Sequence, residues 1–502
     1  MRRWELTIAL DPKHELPIFL QLANAIADDI RSGRLKAGEP LPGTRELAEQ
    51  LAINRNTVVA GYEELAAEGL VNTRVGGGTF VSVPMPTVAH AVPPTGDSPT
   101  YALSAPEHTA PFATAPKPGT LVIANSLPDT RLFPAAALTR AFRRAIAQRG
   151  HSLIGYADPC GHRRLREELA NMLGSTRGLP ATADCLMVTR SLEQGIDLVA
   201  RMLIKPGDVV AVEAFGYPPA WSVLRLAGAQ LVPMPLDDDG LDVEALERLL
   251  ATQRIRAVFL TPHHQFPTTV VMSPSRRARL ADLALLHGFA IIEDDYDHEF
   301  HYAGKPVLPI AAGRGRANVI YVGSLSNLLA PGIGTGFVLA PPAVFESLAS
   351  LRAASDARSD VAMECAIAEL FEDGELLRHV RRMRRTYEAR RDVLADALHR
   401  HLGSALHFRV PDGGLGLWAH VDEAIDLAAW AHESEREGVQ FYEASRYDFH
   451  QRKQPYLRLG FSYLNETELD EAVRRMALAL NRLIGQRTSR PLKAGQVLRN
   501  RV

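Results

Sequence analysis

Two folds in series are predicted. The first is an N-terminal winged helix-turn-helix of α+β type; the second is an α/β domain carrying a smaller C-terminal α+β lobe. Three observations predict them. Two short helix patterns joined by a tight turn precede a glycine-rich hairpin, within residues 12–83. A Pro-, Ala- and Thr-rich stretch without periodicity spans 84–119. From about residue 120 short apolar runs alternate with amphipathic stretches, the pattern of a parallel sheet with helices on both faces.

Composition bounds the function classes. The 502 residues suit two or three domains, and a net charge of −2 excludes a polybasic chain, so any nucleic-acid contact must come from a local patch. The three cysteines, Cys160, Cys185 and Cys365, are scattered and lack metal-ligand spacing, so no metal site is expected. No apolar run approaches the ~18 residues that span a bilayer. The opening "MRRWELTIALDP" has no signal-peptide core, and the expected location is the cytoplasm.

Taken in order, Ile18, Leu22, Ile26 and Ile30 place one apolar stripe on a helix that Gly33 stops. Thr44 is the expected N-cap of a short helix with Leu47 and Leu51 inward. "INRN" turns the chain, Asn54 caps again, and Val58, Tyr62 and Leu65 form the inner face of the next helix. "LVNTRVGGGTFVS" is a β-hairpin, which completes a winged helix. Arg55, Asn56 and Thr57 then stand at the start of the second helix of the pair, where side chains meet base edges and phosphates. Arg74 and Thr79 fall on the wing. Acidic residues outnumber basic ones over the first 83 positions, so Asp28, Asp29, Glu63 and Glu64 must face away from DNA.

The stretch "LPGTRELAEQLAINRNTVVAGYEELAAEGLV…GGGTFV" resembles the GntR-type winged helix of bacterial regulators. That resemblance implies double-stranded operator DNA as partner, and a DNA-facing set of Thr44, Arg45, Arg55, Asn56, Thr57, Arg74, Gly77 and Thr79. A flexible linker of this length has an r.m.s. span of ~30–35 Å, about one turn of DNA, enough for two tethered readers to reach adjacent half-sites.

In the second part, "PAAALTRAFRRAIAQ" and "GHRRLREELANML" are amphipathic helices, and "DVVAVEAF", "AVFLTPHH", "FAIIEDDY" and "NVIYVG" are buried strands. Their carboxyl ends carry "EAFGY", "TPHHQFP", "EDDYD" and "GSLSN", where ligands of such sheets bind. The large domain is expected over 120–345, the smaller lobe over 346–486, and a basic tail over 487–502.

The ordered series "GYADPCGHRRLREEL", "TPHHQFPTT", "IIEDDYDHEF" and "LRLGFSYL" resembles fold-type I aminotransferases. Joined to the winged helix, it resembles the MocR-type regulators. That resemblance implies pyridoxal 5′-phosphate (PLP) as the family cofactor, a ligand-sensing role and a head-to-tail homodimer. It also implies a site that has decayed. Asn327 in "SLSNLLAPG" stands where the cofactor lysine belongs, and an amide cannot form a Schiff base. None of the seven lysines (Lys13, Lys36, Lys117, Lys205, Lys305, Lys453 and Lys493) belongs at the strand ends. Gly334 stands in place of the phosphate-binding arginine. Arg190-Ser191-Leu192-Glu193 replaces the small-residue helix start, losing its glycine and adding a carboxylate.

What remains is Asp294, where an aspartate faces the pyridine nitrogen, and Tyr296, where a tyrosine meets the phenolic oxygen. Ser324 and Ser326 remain as hydroxyl donors, and Arg190 is the candidate substitute for the missing guanidinium. His264 and Gln265 match a His-Gln pair near the ring. Tyr217 either covers the ring or packs as a loop aromatic, and Thr269 replaces a glycine. Arg458 either holds a ligand carboxylate or forms a structural salt bridge. The expected function is a DNA-binding regulator without covalent cofactor, sensing an amino acid or small carboxylate. Non-covalent PLP binding is the first alternative and an active aminotransferase the second.

Overall fold

A computed structural model describes residues 16–74, 77–82, 117–124, 126–150 and 157–488, with single positions at 8, 10, 11, 153 and 155. The expected linker falls almost wholly outside the described residues. The chain divides into two compact units, residues 1–104 and 105–502.

In the first unit, α1 (Ile18–Arg31), α2 (Thr44–Gln50) and α3 (Arg55–Ala67) precede the antiparallel hairpin of β1 (Val71–Arg74) and β2 (Gly78–Val81). Leu22, Ile26, Leu47, Val58, Tyr62 and Leu65 are the buried centre, so the apolar spacing did select the inward faces. The side chain of Asn54 accepts from the Asn56 backbone N–H at 2.8 Å and caps α3 as expected. Thr44 is not the cap of α2: Gly43 holds that position and Thr44 is the first helical residue. With no hydroxyl at Gly43, that helix start has no side-chain cap.

The second unit is built on a seven-stranded sheet. Its strands are β3 (Leu186–Thr189), β4 (Val209–Glu213), β5 (Gln230–Met234), β6 (Ala257–Leu260), β7 (Ala290–Asp295), β8 (Val319–Ser324) and β9 (Gly336–Leu339). They lie in the order β3-β9-β8-β7-β6-β4-β5. Six are mutually parallel, and β9 runs antiparallel between β8 and β3. The expected strand runs all appear, but β3, β5 and the reversed β9 were not anticipated. The run "GFVL" is as apolar as its neighbours, and nothing local in it encodes direction. β3, β6, β8 and β9 are buried at every position, which is why they carry no alternation.

The smaller lobe carries a four-stranded antiparallel sheet, in the order Leu406–Phe408, Gly416–Val421, Tyr456–Gly460, Tyr442–Glu443. The long helix Glu375–Leu402 and the terminal helix Glu466–Thr488 pack together beside it. That last helix runs two residues into the stretch assigned to the tail, and residues 489–502 lie outside the described residues. No helix among the described residues is long and apolar enough to cross a membrane.

Candidate functional site

On the first unit, Arg45, Arg55 and Asn56 are exposed, and Thr44 and Thr57 are half-buried. The Arg55 Nε donates to the Thr44 hydroxyl at 3.4 Å, so the starts of α2 and α3 converge on one surface. Exposed Gly77 lies in the turn between the wing strands. Arg74 pairs in register with Gly78, and its side chain lies outside the described residues. Thr79 departs from expectation. It is 8% exposed and its hydroxyl lies 3.3 Å from that of Thr73, because in a two-stranded ribbon alternate residues face inward and this position falls on the inner side. Asp28 and Asp29 pair with Arg31 and Arg34 at the end of α1, which neutralises part of the acidic excess.

In the second unit the parallel strands end on one edge of the sheet, and a cavity of about 440 Å³ opens there. Arg190 and Ser191 follow β3, Tyr217 follows β4, and Phe266 follows β6. Asp294 and Tyr296 end β7, Ser324, Ser326 and Asn327 end β8, and Gly334 precedes β9. Tyr442 and Arg458 close it from the smaller lobe. Most of the expected pocket residues are thus brought together.

The sheet's period of two decides which acid faces in. Asp294 points to the cavity, while its neighbour Asp295 binds Tyr321 and His298 on the far side. Asp294 is 2% exposed and its Oδ1 has no hydrogen-bond partner. Burial, with Asp295, Glu193, Asp297 and Glu213 nearby, pushes its carboxyl well above the usual carboxylate range. A raised acid favours folding while protonated, and that contribution is lost as pH rises above the unfolded value near 3.8. Asp294→Asn should therefore gain stability relative to the unsubstituted protein between pH 5 and pH 8. Denaturant unfolding at both pH values measures this, and an equal difference at both would contradict it.

The opposite end of the cavity does not offer a phosphate cup. Ser191 caps the helix Leu192–Leu203 through the Gln194 N–H at 3.2 Å, so that helix start is already occupied by its own side chain. Glu193 accepts from the Tyr217 hydroxyl at 2.6 Å. Arg190 is largely exposed and faces Asp356 at 3.6 Å. Gly334 has φ +49°, and a Cβ there would lie 2.8 Å from the Arg190 carbonyl oxygen, so a side chain requires that loop to move. The Ser324 hydroxyl donates to the Thr335 carbonyl and accepts from the Ser326 N–H. Asn327 spends its amide on the Tyr296 carbonyl at 3.0 Å. Every described lysine is exposed, and none lines the cavity.

Two expectations need correction. His264 is 1% exposed, bonded through Nδ1 to Asp297 at 2.7 Å, and does not line the cavity. Gln265 also lies behind the wall; its amide donates to the Phe215 and Phe266 carbonyls and so fixes the loop that presents Phe266. Tyr296 does line the cavity, with its hydroxyl donating to the His264 carbonyl at 2.8 Å. Strand-end side chains alternate and turn sharply, and sequence position alone does not say which wall they reach. Thr269 occupies φ +65°, a left-handed position that a β-branched residue holds only under strain.

Among the described residues, Arg458 forms no salt bridge to a carboxylate. Its Nε donates to Ser126 at 3.2 Å, its Nη1 donates to the Pro267 carbonyl, and its plane lies 4.7 Å from the Phe266 ring centre. Its Nη2 is buried without a hydrogen-bond partner. Phe266, Tyr442, Tyr447 and Ser126, which also line the cavity, were missed. Phe266 had a signal, since it adjoins Gln265 in "HHQFP", but the other three come from segments with no motif of their own.

The chain matches two family models: "Bacterial regulatory proteins, gntR family" over residues 19–81, and "Aminotransferase class I and II" over residues 123–476. It is 30% identical to the probable rhizopine catabolism regulatory protein MocR of Rhizobium meliloti, covering 93% of this chain and 94% of that protein. It is 30% identical to the HTH-type pyridoxine biosynthesis transcriptional regulator PdxR of Corynebacterium glutamicum, over 84% of this chain and 87% of that one. Among solved structures it resembles the α-aminoadipate aminotransferase LysN of Thermus thermophilus, complexed with N-(5′-phosphopyridoxyl)-L-leucine. The TM-score is 0.68 at 26% identity, covering 74% of this chain and 94% of that chain.

Proposed function

Because the chain belongs to the MocR-type transcription regulators, with a gntR-family winged helix ahead of a class I and II aminotransferase domain, we propose that it regulates transcription as a homodimer without transamination, its second unit binding an amino acid or small carboxylate. The observation that carries this reading is Asn327 at the strand end, with no lysine among the lining residues. PLP chemistry requires an amine for the Schiff base and a cup for a dianion. Here the amide is tied to a backbone carbonyl, Glu193 sits at the phosphate end, and the nearest guanidinium turns toward Asp356. The residues present do not fit covalently bound PLP.

Arg458 supports the carboxylate. A guanidinium 1% exposed, with one nitrogen unpartnered and no facing acid, is complementary to a bidentate anion. At the sheet's edge, Asp294 and Glu193 offer carboxyl oxygens to a ligand amine. A ligand that prefers one arrangement of the two lobes would shift the equilibrium between them, and with it the spacing of the DNA readers in a head-to-tail dimer.

The test is thermal melting and calorimetry of the full chain against a panel of amino acids and dicarboxylates, repeated with Arg458→Lys. A carboxylate that stabilises the unsubstituted protein should bind the variant weaker by about 2 kcal/mol or more, roughly thirtyfold. Equal affinity for both proteins would refute the assignment. A second reading, PLP bound non-covalently as an effector, is favoured by the orphaned Oδ1 of Asp294, the group that would meet a pyridinium nitrogen.

A further inference from the structure

Behind the cavity wall, four histidines from two strand-end loops meet in the interior. His263 and His264 follow β6; His298 and His301 follow β7. All four are at most 8% exposed. One ring nitrogen each from His263, His264 and His301 can be chosen so that all three lie within 4.8 Å of one another. The rings of His263 and His298 stack at 4.3 Å.

What marks this cluster is how its hydrogen bonds are distributed. His264 engages Asp297 through Nδ1 at 2.7 Å and leaves Nε2 without a partner. His298 engages Asp295 through Nδ1 at 2.9 Å and likewise leaves Nε2 bare. Both ring nitrogens of His263 and of His301 lack hydrogen-bond partners. Buried polar atoms are rarely orphaned, and a set of them converging on one point indicates a group that satisfies them together. A carboxylate behind one imidazole nitrogen, with the other aimed inward, is the arrangement that fixes the tautomer of a metal-bound histidine.

We infer that His263, His264 and His301 bind a late first-row divalent cation, zinc first among them, with Asp297 orienting His264. Three neutral imidazoles with no thiolate suit zinc, copper or nickel rather than magnesium or calcium, which take oxygen ligands. Tetrahedral zinc at ~2.0–2.1 Å from each nitrogen needs the donors about 3.3 Å apart, so the three rings would close in from a spacing of at most 4.8 Å. Asp295 and Asp297 offset the ion's charge. Gly413 packs directly against His264, since a Cβ there would lie 2.2 Å from Nε2. The residue that bridges to Gly413 is His301 itself, so the ion would tie both strand-end loops to the segment that leads into the smaller lobe.

The test uses tag-free full-length protein stripped with EDTA and titrated with Zn²⁺ against a chromophoric chelator, then with Co²⁺ for its visible spectrum. One ion per chain is expected, with Co²⁺ bands of tetrahedral type and no thiolate charge-transfer band. His263→Gln and His301→Gln should each weaken Zn²⁺ at least tenfold, and Asp297→Asn by roughly 10–100-fold. Melting of the metal-free proteins checks that each variant folds, and the Co²⁺ spectrum tests the ligand set in the unsubstituted protein independently of any variant. Failure to bind either ion, binding that survives both histidine substitutions, or a thiolate band would overturn the assignment.

Discussion

Replacing Arg177 with methionine is expected to cost about 3–5 kcal/mol of stability, measured by denaturant unfolding of the full chain at pH 7. Arg177 ends the helix Arg163–Arg177, is 1% exposed, and donates to Glu299 and to the Tyr321 hydroxyl. It also lies 3.7 Å from Asp295, to which Tyr321 donates. Burial works to raise the Asp295 carboxyl, yet His298 and Arg177 together hold it well below the usual range. Methionine fills similar volume but leaves Asp295 and Glu299 buried without their cation. The sign with pH follows. A depressed carboxyl contributes stability above its unfolded value and loses it as pH falls below that value, so the penalty should persist down to about pH 4 and shrink below it. A loss below about 1 kcal/mol would mean that the network does not brace the sheet.

Arg55→Ala is expected to weaken operator binding by about 2–6 kcal/mol for a dimer, since each reader loses one base contact of about 1–3 kcal/mol. Arg55 is exposed at the start of α3 and steadied by Thr44 rather than by an acid, so its guanidinium remains available. Anisotropy titration at fixed salt measures the loss, with non-specific DNA as control. A base-reading arginine should cost affinity for the operator far more than for random sequence. Equal losses on both would assign it to phosphate instead.

Local chemistry was the legible part of this chain. The helix faces of the reader follow from apolar spacing, and Asn54 announces its own cap. The central strands show as apolar runs because both sheet faces are covered. Asn327, Asp294, Tyr217, Gly334 and Arg458 do line one cavity, since motifs at parallel strand ends converge by topology. What failed depends on direction or distance. The reversal of β9 and the inward turn of Thr79 are decided by tertiary pairing. His264 and Gln265 both sit behind the wall, held there by Asp297 and by the Phe215 and Phe266 carbonyls, partners that sequence position does not reveal. The histidine cluster joins residues 263–264 to 298–301, and no ligand spacing within either loop advertises it. Gly43 at the start of α2 shows the same limit, for a backbone position was capable of filling a role that the neighbouring hydroxyl suggested.

The most direct test of the central claim, that this second unit no longer carries out Schiff-base chemistry, is a PLP titration of the purified full-length protein. Absorbance and melting temperature are followed first, then borohydride reduction and intact-mass measurement. The account predicts no aldimine band and no mass gain on any lysine after reduction. A reduced PLP adduct on a single lysine at stoichiometric yield would contradict it and return the chain to the aminotransferases.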